Sequence, residues 1–175
     1  MVLEILQIGN PILRQVAKEV SDIENERIQK LIDDLISLTL SVNGVGIAAP
    51  QVGISERIII VASHPNPRYP DAPLMSPLAM INPRIVSHSQ EMVRGNEGCL
   101  SVRGKRGDVS RHREIEVEYY TRDGKFHRRQ CSDFVARIIQ HEIDHLNGIL
   151  FVDRLEPVAT DFDNSNQDIP VRQFS

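Results

Sequence analysis

Two histidines separated by three residues, His141 and His145, are the side chains in this sequence best suited to chemistry. They frame a carboxylate, Glu142, in the pattern H-E-x-x-H. On an α-helix, residues i and i+4 project from one face, so both imidazoles can bind one metal ion while the glutamate lies beside it. The pattern therefore predicts two metal ligands and a base on one helix.

The surrounding residues predict the helix that must carry this pattern. Phe134 and Ile138 precede the histidines at helical spacing, so the imidazoles continue an apolar stripe. Ser132 is a suitable N-cap and Gly148 a suitable residue just past the end, which gives about four turns. A helix with so wide an apolar face is expected to be central. Its opposite side is polar, with Arg137, Gln140, Asp144 and Asn147.

Cys99 is the candidate for the third protein ligand that catalytic zinc-type sites require in addition to water. It lies in Glu97-Gly98-Cys99-Leu100-Ser101, beside flexible glycine and between a carboxylate and a hydroxyl. A disulfide with Cys131 is not expected, because cytosolic thiols stay reduced. Cys131 precedes the helix in a predicted strand, where a small, partly buried side chain is the usual role.

Composition limits the broad class of protein. The 175 residues suit one compact domain with or without a tail, and the net charge of −4 gives no overall signal for nucleic acid or an anionic membrane. A local basic run over residues 103–113 is the exception. No apolar run is long enough to span a membrane, and the first residues do not resemble a signal peptide. We therefore expect a cytoplasmic protein.

A first helix is predicted before the glycine-rich segment 44–51. Residues 21–24 have the form of a capping box, and apolar residues follow at helical spacing to about Val42. The segment 44–51, Gly-Val-Gly-Ile-Ala-Ala-Pro-Gln, is small and nearly uncharged, so its backbone can approach a ligand closely. A tightly packed connector is the favoured interpretation of this segment when it is taken alone.

Three further segments predict strands. The β-branched run 58–61 is expected to be buried. Asn82-Pro83 interrupts the apolar stretch 78–86, which predicts a short strand pair or an edge strand. Alternation over residues 114–119, followed by the turn Asp123-Gly124, predicts a hairpin with one half-buried face.

Two segments are expected to lie in solvent. Residues 64–73 hold four prolines and read as a surface loop that exposes His64 and Tyr69. Residues 158–175 are polar, acidic and without apolar periodicity, so they predict a flexible tail.

Three motifs together make the chain resemble the peptide deformylase family. They are residues 44–51, 97–101 and 141–148, they occur in the family's order, and the similarity extends from Ile5 to about Leu155. The resemblance implies an α+β fold in which antiparallel β-sheets surround a central metal-binding helix. It also implies an enzyme that removes the N-formyl group from the N-terminal formyl-methionine of newly synthesised proteins and releases formate.

The resemblance also bears on domains and partners. Residues 1–157 would form the catalytic domain, followed by the tail 158–175. N-formyl-methionyl nascent peptides would be the substrates, met near the ribosomal exit tunnel, with no membrane and no specific nucleic acid as partners. Some family members contact the ribosome through a basic C-terminal extension, whereas this tail is acidic.

The resemblance assigns roles to the candidate residues. Glu142 would be the acid/base group, and Gln51 with the backbone N–H of Leu100 would stabilise the oxyanion. The metal ligands would be Cys99, His141 and His145. A divalent ion lowers the pKa of bound water towards ~7, which explains the need for these ligands.

Substrate binding is expected along the glycine-rich segment. The backbone at Val45 and Gly46 would pair with the extended peptide. The methionine side chain would occupy an apolar pocket lined by Ile47, Phe134 and Ile138. The family usually has proline after Val102, whereas here Arg103 opens a basic loop, which leaves open the substrate contacts past the third ligand.

The identity of the ion is not decided by the ligand types. A Cys-His-His set is an ordinary zinc site. The resemblance implies one divalent ion and favours Fe2+, with Zn2+ or another divalent ion as the alternative in a purified sample. An iron–thiolate site would be sensitive to oxygen.

Two other functions compete with this interpretation. A metallopeptidase would use the same H-E-x-x-H helix, although peptidases of that pattern usually take histidine or glutamate as the third ligand. A catalytically silent metal-binding or RNA-binding module would use the basic run 103–113, although it would have no reason to keep Glu142 and Gln51.

Overall fold

Two antiparallel sheets and two α-helices make up the fold in the computed structural model, which describes residues 2–158. The helices are α1 (Glu26–Ser41) and α2 (Asp133–Leu146). The smaller sheet is the hairpin of β4 (Met92–Cys99) and β5 (Val102–His112). The larger sheet has the order β1-β2-β3-β6-β7, formed by Gly46–Ala48, Ile58–Val61, Leu78–His88, Glu114–Tyr120 and Phe126–Ser132. This architecture confirms the predicted α+β fold.

Strand β2 is covered on both faces, as its apolar run predicts. Ile58 and Ile60 belong to the apolar cluster that contains α1, whereas Ile59 and Val61 belong to the cluster that contains α2. Side chains alternate across a strand, so a strand between two helices needs apolar residues at every position. All four side chains are fully buried.

Helix α2 lies between the two sheets, which confirms its predicted central place. Its apolar stripe packs on the larger sheet through Ile139, Ile143 and Leu146. Its polar side is also buried, because the β4–β5 hairpin covers it. Gln140 illustrates the pairing, since its amide accepts from the backbone N–H of His112 at 3.0 Å and donates to the carbonyl of the same residue at 2.9 Å.

The start of α1 differs from the prediction. The helix begins at Glu26, and the side chain of Asn25 accepts a hydrogen bond from the backbone N–H of Arg27 at 3.0 Å. Asn25 is therefore the N-cap in place of Ser21, because asparagine satisfies the same free N–H groups.

The prediction of a short strand pair or an edge strand at 78–86 was wrong, since β3 is one strand and lies between β2 and β6. Asn82 adopts a positive φ of 51°, and its amide both accepts from and donates to the backbone of Val20, at 2.9 and 3.0 Å. The pairing register shifts between Ile81 and Arg84. Pro83 lies within this irregularity, where a residue without a backbone N–H is tolerated.

The hairpin of β6 and β7 is confirmed. Ile115, Val117 and Tyr119 are buried, and the guanidinium of Arg128 forms ion pairs with the glutamates of the neighbouring strand. The predicted tail 158–175 lies, apart from its first residue, outside the described residues. Within the described part of the chain, no helix combines the length and apolar character that a membrane span needs.

Gly148, just past the end of α2, lies so close to the backbone of Arg14 that a substitution there tests the packing at this end of the helix. Its φ is +72°, and a Cβ built there would lie 2.5 Å from the backbone oxygen of Arg14. We expect Gly148→Ala to lower the free energy of unfolding by about 3 kcal/mol, since left-handed strain and steric overlap add together.

The matched control is Gly124→Ala in the β6–β7 turn. Gly124 has a φ of +76° but no atom within 4 Å of a built Cβ, so only the conformational cost of about 1–2 kcal/mol applies. Urea unfolding measures both variants. Equal losses of stability would contradict the close contact between Gly148 and the segment of Arg14.

Candidate metal centre

Cys99, His141 and His145 meet where α2 faces the β4–β5 hairpin. One ligand-type atom from each residue lies within 4.8 Å of the other two, and Cys99 Sγ is 3.3 Å from His145 Nε2. The helix supplies both imidazoles through its i, i+4 spacing, and the last residue of β4 supplies the thiol. Within residues 2–158, these three predicted ligands form the group that fits one metal ion.

The two histidines differ in protonation. Burial and the positive charge of His141 hold the pKa of His145 well below its ordinary value, so this ring is neutral. Burial also lowers the pKa of His141, but hydrogen bonds with Cys99 and Glu97 outweigh burial and raise it well above its ordinary value. Metal ligands must be deprotonated, so binding of an ion displaces the proton of His141.

Glu97 orients His141, a role that was not predicted from the sequence. Its buried carboxylate accepts a hydrogen bond from His141 Nδ1 at 2.8 Å, which leaves Nε2 for an ion. A carboxylate in this position fixes the tautomer and makes the imidazole a better ligand. The signal was available, because residues i and i+2 of a strand share a face, and Glu97 stands two residues before Cys99.

Two arginines compensate the charge of Glu97. Arg111 on β5 donates two hydrogen bonds of 2.9 Å to the carboxylate, and Arg137 on α2 donates one of 2.6 Å. Burial alone would raise the pKa of Glu97, but the hydrogen bonds from His141 and Arg111 outweigh burial and hold it well below its usual range. Arg111 extends the network to Asp144, which also pairs with Arg154.

Glu142 lies beside the three ligands with an unusual protonation equilibrium. Burial raises the pKa of its carboxyl group to about 7, with a smaller contribution from the charge of Glu97. Its Oε2 atom is buried and has no hydrogen-bond partner among the described residues. A buried carboxylate without a partner is costly, and such groups are concentrated at functional sites.

Gly46 makes room for this carboxylate. A Cβ built on Gly46 would lie 2.7 Å from Glu142 Oε1 and 2.8 Å from the side chain of Ile138. The glycine therefore allows β1 to lie directly against α2. The sequence favoured a tightly packed connector for this segment taken alone, and at Gly46 the close neighbours are indeed side chains of α2, including the acid/base candidate.

Gln51 presents its amide nitrogen to the site. Its Oε1 accepts a hydrogen bond from the backbone N–H of Ala48 at 2.9 Å, so the NH2 group faces Ser101 Oγ at 3.1 Å and Cys99 Sγ at 3.5 Å. Leu100 occupies the turn between β4 and β5, where its carbonyl accepts from the side chain of Gln7 at 2.9 Å. Both residues line a cavity whose wall also includes Cys99, His141 and Glu142.

The apolar side of this cavity contains most of the predicted substrate-binding residues. Val45, Gly46, Phe134 and Ile138 all line it. The structure does not place Ile47 there, because successive side chains of β1 point to opposite faces and Ile47 is fully buried in the cluster around α1.

Tyr69 also lines the cavity, so the prediction that it is solvated was wrong. Its ring packs on Phe134 with centroids 4.8 Å apart. His64, from the same proline-rich loop, is half-buried, and its Nδ1 lies 2.8 Å from the carbonyl oxygen of Ala62. Proline content predicted a loop correctly but carried no information about where the loop packs.

The role of Glu97 in preparing His141 predicts an effect on metal affinity. We expect Glu97→Gln to weaken Zn2+ binding by about 10- to 100-fold, because the neutral amide does not raise the basicity of the ring and can turn either its oxygen or its NH2 group towards Nδ1, so that it holds the tautomer less firmly. Competition with a chromophoric chelator measures this affinity, with circular dichroism to confirm folding.

Asp144→Asn is the matched control for this substitution. Asp144 is also a buried acid paired with Arg111, but it makes no hydrogen bond with either histidine. We expect a smaller change in affinity for this variant. Equal losses in the two variants would mean that general damage to the network, and not the orientation of His141, controls metal binding.

Comparisons of this chain with known sequences and with solved structures all point to the same family. The sequence model of the family described as polypeptide deformylase matches residues 2–161. Peptide deformylase 2 of a Nostoc species is 61% identical over 154 residues, which cover 88% of this chain and 86% of that relative. Peptide deformylase 2 of Shewanella oneidensis is 44% identical over 152 residues, which cover 87% of this chain and 83% of that relative.

Solved structures agree with these relatives. A class I type b peptide deformylase from Acinetobacter baumannii, determined with Met-Ala-Ser bound, is 50% identical and superposes with a TM-score of 0.86, covering 89% of this chain and 99% of that one. These similarities show that the chain belongs to the polypeptide deformylase family, whose members are enzymes that use a divalent metal ion to remove the N-formyl group from an N-terminal methionine.

Proposed function

We propose that Cys99, His141 and His145 bind the catalytic ion and that Glu142 is the acid/base group that acts on N-formyl-methionyl nascent peptides. The observation that carries this proposal is the position of an unpartnered, buried carboxylate beside three converging metal-ligand atoms. Both features face a cavity with one apolar side, which suits a formylated methionine.

We propose Fe2+ as the working ion, in line with the family resemblance, although the same donor set also binds Zn2+. When bound, the ion supplies Lewis acidity, which polarises a carbonyl and lowers the pKa of water. The donor set matches this role, because one imidazole is already neutral and the other is held by a carboxylate.

Glu142 moves the proton during hydrolysis. The carboxylate accepts a proton from water as the oxygen of water adds to the formyl carbon. It then delivers that proton to the amine nitrogen as the carbon–nitrogen bond breaks, so that formate and a free N-terminus are released. A carboxyl pKa near neutrality suits both halves of this transfer.

Gln51 and Leu100 stabilise the charge that develops on the formyl oxygen. The hydrogen bond from Ala48 fixes the Gln51 amide so that its N–H groups, and not its oxygen, face the reacting centre. Loss of one such preorganised donor typically costs ~10²-fold or more in rate. The backbone N–H of Leu100 is the second donor in this proposal.

The substrate backbone pairs with β1. This strand is the outermost member of the larger sheet, so one of its edges is available for an added strand. A peptide pairing with Val45 and Gly46 directs its first side chain towards Phe134 and Ile138. The Acinetobacter baumannii structure with Met-Ala-Ser bound supports a peptide of this kind as ligand.

The setting of the reaction follows from its substrate. Formylated N-termini occur on nascent chains, so we place the enzyme in the cytoplasm, acting on chains as they leave the ribosome.

Formate release from formyl-Met-Ala-Ser tests the proposal, with protein loaded anaerobically with Fe2+ or with Zn2+. We expect Fe2+ to support the faster turnover and Glu142→Ala to lower kcat by about 10²–10⁴-fold, since proton transfer loses its carrier. Glu114→Ala, which removes an exposed glutamate from β6, is the control and should retain activity.

Two outcomes would contradict the proposal in different ways. An unimpaired Glu142→Ala variant would exclude Glu142 as the proton carrier. An absence of formate with either metal, despite one bound ion per chain, would contradict the proposed site as a whole.

A further inference from the structure

A basic groove adjoins the cavity on the side of Leu100. It has a volume of about 520 Å³, and no aspartate or glutamate is among the residues that line it. Gly98, Cys99 and Leu100 line both the groove and the cavity, so the two are continuous. The cations of the groove, which are all exposed, are Arg68, Arg103, Lys105 and Arg106.

The cations of this groove differ from most other arginines of the protein, because they form no ion pair with a carboxylate among residues 2–158. Most arginines elsewhere are paired, as Arg84 is with Glu118 and Arg14 with Asp153. The ion pairs formed among residues 2–158 include none of the four groove cations. The unpaired positive charge is therefore concentrated beside the reacting centre.

Neutral groups hold two of these cations in place. Arg106 donates to Asn96 Oδ1 and to the hydroxyl of Tyr69, both at 2.8 Å, and its guanidinium lies over the Tyr69 ring. Arg68 donates to the carbonyl of Asn43 at 2.8 Å. Neutral partners orient a guanidinium without cancelling its charge, so less side-chain entropy is lost when an anion binds.

Arg106 also lies close to the expected path of the substrate. It stands opposite Gly98 in the hairpin register, and a Cβ built on Gly98 would lie 2.5 Å from its NH1 atom. The absence of a side chain at Gly98 lets the guanidinium lie across the end of β4. A peptide that leaves the cavity past Gly98 and Leu100 therefore meets this charge first.

We propose that the basic groove binds a carboxylate side chain of the substrate, so that the enzyme favours nascent chains with aspartate or glutamate at the second or third residue. The proposal rests on the proposed function, because it assumes that the formyl-methionine occupies the cavity. Extended residues advance ~3.3 Å each, so the residues directly after methionine are those that reach the groove.

A peptide carboxylate fits this groove better than the phosphates of RNA do. The groove is continuous with the cavity and, at about 520 Å³, suits a short stretch of peptide, whereas RNA contacts usually extend over a wider basic surface. The net charge of −4 also disfavours approach of a polyanion to the protein as a whole.

Paired substrates that differ only in charge test the proposal. They are formyl-Met-Glu-Ala-amide and formyl-Met-Ala-Glu-amide, each compared with its glutamine counterpart on the metal-loaded full chain. The amidated ends remove the only other carboxylate. We expect kcat/KM to be about fivefold higher for glutamate at one of the two positions, chiefly through KM, and this preference to fall at high salt.

Substitution of the groove cations gives the second arm of the experiment. In the double variant Arg103→Gln, Arg106→Gln, which removes the cation opposite Gly98 together with a neighbour in the groove, the ratio of the two kcat/KM values should fall towards one. The ratio is used because a general loss of activity cancels from it. Arg129→Gln removes an exposed arginine of β7 that lies outside the groove and should leave the ratio unchanged.

The deformylated products provide a readout that does not require turnover. Calorimetric binding of Met-Glu-Ala-amide and Met-Gln-Ala-amide should show the same preference, so an absence of formate would count against the proposed function alone. Equal values for glutamate and glutamine at both positions would overturn the groove proposal. Loss of binding to an RNA oligonucleotide in the double variant, with the peptide preference intact, would overturn it in favour of an RNA-binding face.

Discussion

One buried anion, the carboxylate of Glu97, holds the catalytic half of this protein together. It binds His141 and Arg137 of α2 and Arg111 of β5, so a single group joins the helix to the hairpin that carries the third ligand. Removing a carboxylate from water costs several kcal/mol, and only good pairing offsets that cost. Loss of Glu97 would leave the buried guanidinium of Arg137 without a carboxylate partner and that of Arg111 with Asp144 alone.

Helix α2 combines two kinds of burial that are usually found on different helices. One side packs on the larger sheet through apolar contacts, and the other side is fixed to the hairpin by directional polar contacts. The apolar contacts supply stability. The polar contacts fix how far the helix is rotated about its axis and where it lies along that axis relative to the hairpin. Both imidazoles and Glu142 are consequently held on a rigid element, as a metal site with a precise geometry requires.

Features that depend on local sequence were predictable. Three local patterns each predicted one element, and the structure contains all three. They are the spacing of the histidines for α2, the apolar run 58–61 for β2 and the alternation over β6. Cys99 was found through a motif, and its neighbour Glu97 was within reach of the same reasoning. Placement of the two histidines on one face of a helix therefore required only helical geometry, whereas Cys99 became a candidate ligand through its motif.

Features that depend on distant partners were not predictable. The buried arginines of the Glu97 network could not be recognised from local sequence as partners of that carboxylate, because Arg137 lies 40 residues from Glu97 along the chain. Tyr69 and the central position of β3 were missed for the same reason. In each case tertiary contacts overrode a local preference for exposure or for an edge.

The proposed metal ligands are divided between two structural units, which has a consequence for the rate of metal exchange. Two ligands are on a helix enclosed by the core, whereas the third is on a two-stranded hairpin that forms a sheet of its own. A two-stranded hairpin is marginally stable by itself, and parts of a fold can open locally before the whole molecule unfolds. An ion held by these three residues would therefore exchange with solvent through local opening of the hairpin, and it would stay bound for less time than the chain stays folded.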